Sequence, residues 1–253
     1  MGVMSAEATA TASPIAPLWG EVRYGGELAR LLASREFRSV QKRTDEAPVL
    51  LVPGFMAGDG SLRVLRQWLL RRGHRVHMSG FRANVGCAEQ LVTRLDEQLH
   101  ALASETEQRV FLIGQSRGGA LVRALAVRNP DAVAGLAMLG SPVTDGLAVA
   151  PPVLRTVRWL ATLGDLGLPG LFSSSCEYGA CCAEFRAALA APLPDGIGAT
   201  AMFSYSDAIV DWQACIDPHA EAIAVDSSHC GMSVNVDVYR ALGRALDAAR
   251  TEG

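Results

Sequence analysis

The segment R-V-F-L-I-G-Q-S-R-G-G at residues 109–119 constrains the fold of this chain more than any other. A short apolar run enters Gly114, Ser116 stands two residues on, and Gly118 stands two beyond that. Residues 120–127 then carry apolar side chains at helical spacing. A strand that becomes a helix within so few residues must turn abruptly, and glycines flank the serine because a side chain there would collide with neighbouring elements. The serine is then held on a strained backbone, its hydroxyl exposed, with the amino end of the helix beneath it.

The same rhythm extends along the chain. Apolar runs at residues 49–52, 74–78, 109–113, 133–139, 200–205 and 222–225 read as short strands, several of them nearly continuous, as parallel strands buried on both faces are. Between them, residues 26–37, 61–72, 88–102, 120–127 and 234–249 carry helical spacing. Strands alternating with helices imply right-handed crossovers, so the expected architecture is an α/β fold with a mostly parallel sheet covered by helices on both faces. The alternation breaks over residues 143–198, where five prolines surround one helical piece at 153–163. That stretch is too long for a plain connection and is expected to be a cap or lid insertion. Residues 1–17, rich in Ala, Ser, Thr and Pro, are expected to be a flexible tail ahead of a single domain at 18–253.

Composition excludes several classes. With 49% hydrophobic and 19% charged residues in 253, the chain can bury a large core without a metal or disulfide staple. A net charge of -3, with no long charged runs, gives no footprint for nucleic acid. No apolar stretch is long enough for a membrane helix and no secretory pattern opens the chain, so the expected location is cytoplasmic. Cys87, Cys176, Cys181, Cys182, Cys215 and Cys230 are therefore read as reduced thiols. They show no paired C-x-x-C spacing and no histidine lies near 176–182, so no residue is assigned to a metal, and none to a cofactor.

A serine hydroxyl is a poor nucleophile until a base removes its proton, so Ser116 needs a histidine and a carboxylate that orients it. Of the five histidines, His219 and His229 follow the serine near a strand end. His229, in S-S-H-C-G-M between the final strand and the closing helix, is the candidate base, whereas His219 follows Asp217-Pro218 and reads as a turn residue. His74, His77 and His100 lie on an early strand or a helix face and read as structural. Asp207, just past the strand beginning at 200, is the candidate acid, with Asp211 its rival. A developing oxyanion also needs donors, which the backbone N–H groups of Arg117 and of Phe55, in L-L-V-P-G-F-M-A-G, are placed to supply. Arg82 or Asn84, in F-R-A-N-V-G-C, would lie at the pocket rim, or Asn84 would satisfy backbone groups at a helix start.

Taken together, L-V-P-G-F at Leu51, L-I-G-Q-S-R-G-G at Leu112, L-G-S-P at Leu139, S-D-A-I-V at Ser206 and S-S-H-C-G-M at Ser227 resemble the α/β-hydrolase superfamily, and within it the small lipases and esterases. The chain departs from the lipase pattern at Pro53 and Val143, where histidines are frequent. The resemblance implies a shortened sheet of about six strands and a cofactor-free Ser-Asp-His hydrolase. Its expected partner is a small-molecule ester with an apolar acyl group, cleaved through an acyl-enzyme. A thioesterase or acyltransferase with the same triad, and a non-catalytic binding protein on the same fold, remain open, as does the oligomeric state.

Overall fold

All four residues of β1 (Val49–Val52) are fully buried, as a parallel strand covered on both faces requires. The computed structural model describes residues 15–251 apart from Gln41, Arg43 and Asp45. In it, β1 is joined by β2 (Val76–Met78), β3 (Val110–Gln115), β4 (Val133–Leu139), β5 (Gly198–Phe203) and β6 (Glu221–Ala224) in one six-stranded sheet. The order is β2-β1-β3-β4-β5-β6 and every pairing is parallel. Each crossover therefore carries helical structure, and the order reverses between β1 and β3, where the carboxyl ends of the strands open a crevice.

Helices cover both faces. On one lie α1 (Tyr24–Ala33), α2 (Arg35–Arg38) and α3 (Arg63–Arg72), on the other α4 (Ala88–Thr106) and α5 (Arg117–Arg128). Alternate strand residues divide between the two cores: Leu50, Val52, Leu112 and Met138 face α4 and α5, whereas Leu51, Phe111, Ile113 and Leu139 face α3 and the closing helix. Ser34 separates α1 from α2, because its extended backbone ends one helix while its hydroxyl accepts the Phe37 N–H of the next, so the helix expected over 26–37 is two.

Between β4 and β5 the chain forms α6 (Pro151–Asp165), α7 (Ser175–Tyr178) and α8 (Ala183–Ala190), with two prolines opening α6 where their missing N–H groups cost nothing. The closing helix, α9 (Val236–Thr251), packs against β4 and β5. The tail expected over 1–17 lies, for residues 1–14, outside the described residues. Contact with the body begins before Leu18, since Ala16 N–H donates to the Asp207 carbonyl.

Arg123 of α5 anchors the segment between β4 and β5 to the rest of the fold. Its guanidinium pairs with Asp217 and donates to the carbonyls of Ala188, Leu189 and Ala191, with both charged side chains buried. Arg123→Met leaves the buried Asp217 carboxylate without its cation, a change expected to destabilise the fold by about 3–5 kcal/mol. Chemical denaturation of the two proteins measures it; an unchanged midpoint would show that the pair contributes nothing.

Candidate active site

Ser116 sits between β3 and α5 at φ 52° and ψ -127°, a left-handed conformation that non-glycine residues rarely adopt and that costs about 1–3 kcal/mol. The turn can be this tight only because of its glycines. A methyl group on Gly114 would run into the backbone of Gly118, and one on Gly118 into the carbonyl of Val52. Ser116 N–H donates to the Leu139 carbonyl at 2.8 Å, fixing the turn to β4.

Past β5 the chain turns, and Asp207 lies four residues beyond Phe203, so the strand ends earlier than its apolar pattern suggests. Asp207 Oδ2 is 2.6 Å from His229 Nδ1, and Asp207 Oδ1 accepts the N–H groups of Ile209 and Val210, each at 2.8 Å. Both Asp207 and His229 are buried. Burial alone would lower the basicity of His229, but the charge and hydrogen bond of Asp207, helped by Glu21, outweigh it and hold the imidazole above its ordinary value of 6.5. A proton on Nδ1 leaves Nε2 free to accept another. Asp211 is elsewhere: its carboxylate accepts the N–H of Gln213 and caps a short 3-10 helix.

Ser116 and His229 line one large cleft of about 1600 Å³, together with Phe55 and Arg117. Val153 and Val157 of α6, with Phe172 beyond it, supply an apolar wall. Among the described residues, the ring of His229 hydrogen-bonds to Asp207, and Ser116 Oγ shares the cleft without bonding Nε2. Arg117 is the first residue of α5, so its N–H has no acceptor within the helix.

Asn84 proves to be a builder of the loop after β1. It is fully buried, its amide donates to the Pro53 carbonyl at 2.8 Å, and its backbone pairs with the loop at Met56 and Ala57. Arg82 is exposed. The side chain of Arg117 donates to the Asn84 carbonyl, to Asn84 Oδ1 at 2.6 Å and to the Gly86 carbonyl at 2.7 Å, and its guanidinium lies 5.4 Å from the Phe172 ring centre. Burial pushes it down to about 10. His219 lies in a turn, its N–H bound to Asp217 Oδ1, and also reaches the cleft wall.

Two carboxylates escape any linear reading. Glu21 accepts the N–H groups of His229 and Cys230, both at 2.9 Å, and the buried Glu27 accepts the N–H and hydroxyl of Ser228. They lie about 200 residues before the loop they hold, and no local pattern marks them. The cysteines depart from their spacing too. The sulfurs of Cys87, Cys176, Cys181 and Cys182 all lie within 4.8 Å of one another, because the inserted segment folds back onto the start of α4. Spacing had pointed away from a metal, since the cysteines show no paired C-x-x-C and no histidine lies near 176–182, whereas Cys87 comes from 89 residues earlier than Cys176.

Comparison with known proteins agrees with this architecture. A family model described as serine aminopeptidase, S33, matches residues 49–169, a span that holds Ser116 and ends before Asp207 and His229. No curated protein sequence matches the chain. Among solved structures, the mature lipase BlEst2 of Bacillus licheniformis is similar at 13% identity and a TM-score of 0.61, over 81% of this chain and 94% of that one. A structure from a study of the metagenome-derived lipolytic enzymes LipS and LipT is similar at 18% identity and a TM-score of 0.57, over 83% and 96%. Mouse alpha/beta hydrolase domain-containing protein 10 is similar at 16% identity and a TM-score of 0.54, over 84% and 92%. No helix among the described residues is long and apolar enough to cross a membrane. With its parallel six-stranded sheet, its strand order and these neighbours, the chain is an α/β-hydrolase in fold.

Proposed function

We propose that the chain is a serine hydrolase that cleaves carboxylic esters, with Ser116 as nucleophile, His229 as general base and acid, and Asp207 orienting the imidazole. One observation carries this reading: a hydroxyl on a strained turn and a buried, carboxylate-paired imidazole share a single cleft. Ser116 Oγ attacks the carbonyl carbon while its proton passes to His229 Nε2, and the carbonyl electron pair moves onto oxygen. The backbone N–H groups of Phe55 and Arg117 hold the resulting oxyanion, which collapses and expels the alcohol as His229 returns the proton. Water then repeats the sequence on the acyl-enzyme. The apolar wall built by α6 and Phe172 favours an apolar acyl group, and the lipolytic enzymes among the structural neighbours agree with that at the level of fold.

The test is turnover by the purified chain of p-nitrophenyl esters of increasing acyl length, beside an acyl thioester and an aminoacyl p-nitroanilide. Ester hydrolysis is expected to exceed the other two and to peak at one chain length. Faster cleavage of the thioester would reassign the chain as a thioesterase, and faster cleavage of the anilide as an aminopeptidase. A folded protein that turns over none of them and resists a fluorophosphonate would be a binding protein on a hydrolase fold.

A further inference from the structure

Four of the six cysteines meet where the inserted segment touches the body, beside the candidate active site yet outside its chemistry. Cys87 precedes α4, Cys176 lies in α7, and Cys181 and Cys182 lead into α8. Cys87 and Cys182 sulfurs are 3.3 Å apart, Cys176 and Cys181 3.7 Å, and Cys181 and Cys182 3.9 Å, with all four within 4.8 Å. We propose that Cys87, Cys176, Cys181 and Cys182 bind one Zn²⁺ as a closed tetrahedral site that fastens the inserted segment to the sheet domain.

The separations carry the argument first. Four sulfurs each about 2.3 Å from a tetrahedral Zn²⁺ lie about 3.8 Å from one another, and the separations here fall on both sides of that value. A disulfide is about 2.05 Å long, so even the nearest pair is not one, and all four cysteines are free. An all-sulfur tetrahedron selects zinc or iron-sulfur chemistry, and four sulfurs all within 4.8 Å of one another enclose a single ion with no open position, which fits zinc.

Charge supplies an independent argument. Arg117 brings a guanidinium to the residue before Cys87, donating to the Gly86 carbonyl and to Asn84 oxygens, all of them neutral. Among the described residues no carboxylate pairs with it. A partly buried cation with no anion beside it is costly. When Zn²⁺ replaces four thiol protons, those protons leave to solvent and the site becomes a [Zn(S-Cys)4]²⁻ centre, the counter-charge that Arg117 lacks. No electron is transferred.

The surroundings also suit a metal centre. The hydroxyls of Ser175 and Ser173 lie 3.6 Å from Cys181 and 3.8 Å from Cys176. Arg186 donates to the carbonyls of Cys176 and Gly179, curling α7 so that its sulfur points back to the others. Such outer contacts orient the ligands of metal sites. Because Arg117 bridges Gly86, the neighbour of Cys87, to Asn84, and Asn84 holds the Pro53 loop, the metal would be a positioning element for the oxyanion loop and take no part in bond breaking.

The full-length chain, made without an affinity tag in zinc-supplemented medium, is assayed for metal by elemental analysis and native mass spectrometry. One Zn²⁺ per chain is expected, lost in both Cys181→Ser and Cys87→Ser. Reconstitution of the wild type with Co²⁺ is expected to give the intense visible bands of tetrahedral thiolate coordination, a readout that stands if Cys87→Ser does not fold. A wild-type chain that takes up neither metal, that carries iron, or whose intact mass reveals a disulfide among the four cysteines would overturn the proposal.

Discussion

Ser116→Ala is expected to lower ester turnover by on the order of 10⁴-fold or more and to abolish labelling by a fluorophosphonate. The substitution removes one hydroxyl and leaves the cleft, the Asp207–His229 pair and both candidate oxyanion donors in place. Whatever activity remains measures what binding and the oxyanion donors achieve without a nucleophile. The backbone at 116 stays at positive φ with either side chain, so stability should change little and the two proteins should melt together. Equal labelling of both would place the nucleophile elsewhere, and the assignment of His229 would fall with it.

The second large effect is expected from Asp207→Asn, which should cost about 10⁴-fold in kcat, as in a triad whose imidazole is left in the wrong tautomer. Asp211→Asn should retain near-normal activity, because that carboxylate serves a 3-10 helix and does not meet the imidazole. The pH profile adds a signed check. Protonated His229 cannot accept the proton of Ser116, so kcat/KM should fall with decreasing pH through a midpoint above 6.5, reflecting the raised basicity of His229. In Asp207→Asn the influences that raise it are gone while burial remains, so the midpoint of the residual activity should move to lower pH. A profile that moves in Asp211→Asn and not in Asp207→Asn would exchange the two roles.

What could be read from the linear chain was whatever depends on neighbours in sequence. The strands announced themselves because a parallel strand covered on both faces is continuously apolar, as Val49–Val52 and Val133–Leu139 are. Ser116 was legible because a tight strand-to-helix turn needs glycines at fixed offsets, and Asp207 and His229 because each follows a strand that ends at the same edge of the sheet. Inside the inserted segment, α7 and α8 are short and bracketed by proline and glycine, so helical periodicity has no room to develop. Glu21, Glu27 and the meeting of Cys87 with Cys182 were beyond reach for a different reason. Each is a contact between distant segments, and nothing in either segment names its partner.

The grip of Glu21 and Glu27 on the loop of His229 also bears on when the candidate site is assembled. These contacts join residues 201 and 208 positions apart, and closing so long a loop carries an entropic cost that only the assembled sheet and its helices can offset. A chain that has folded β3 and presents Ser116 still lacks the proposed histidine in place until Glu21 and Glu27, some 200 residues earlier, hold its loop. Under the proposed triad, the site is therefore assembled only when residues 21–27 meet the loop at 228–230, so the nucleophile and its base come together as one step of long-range folding.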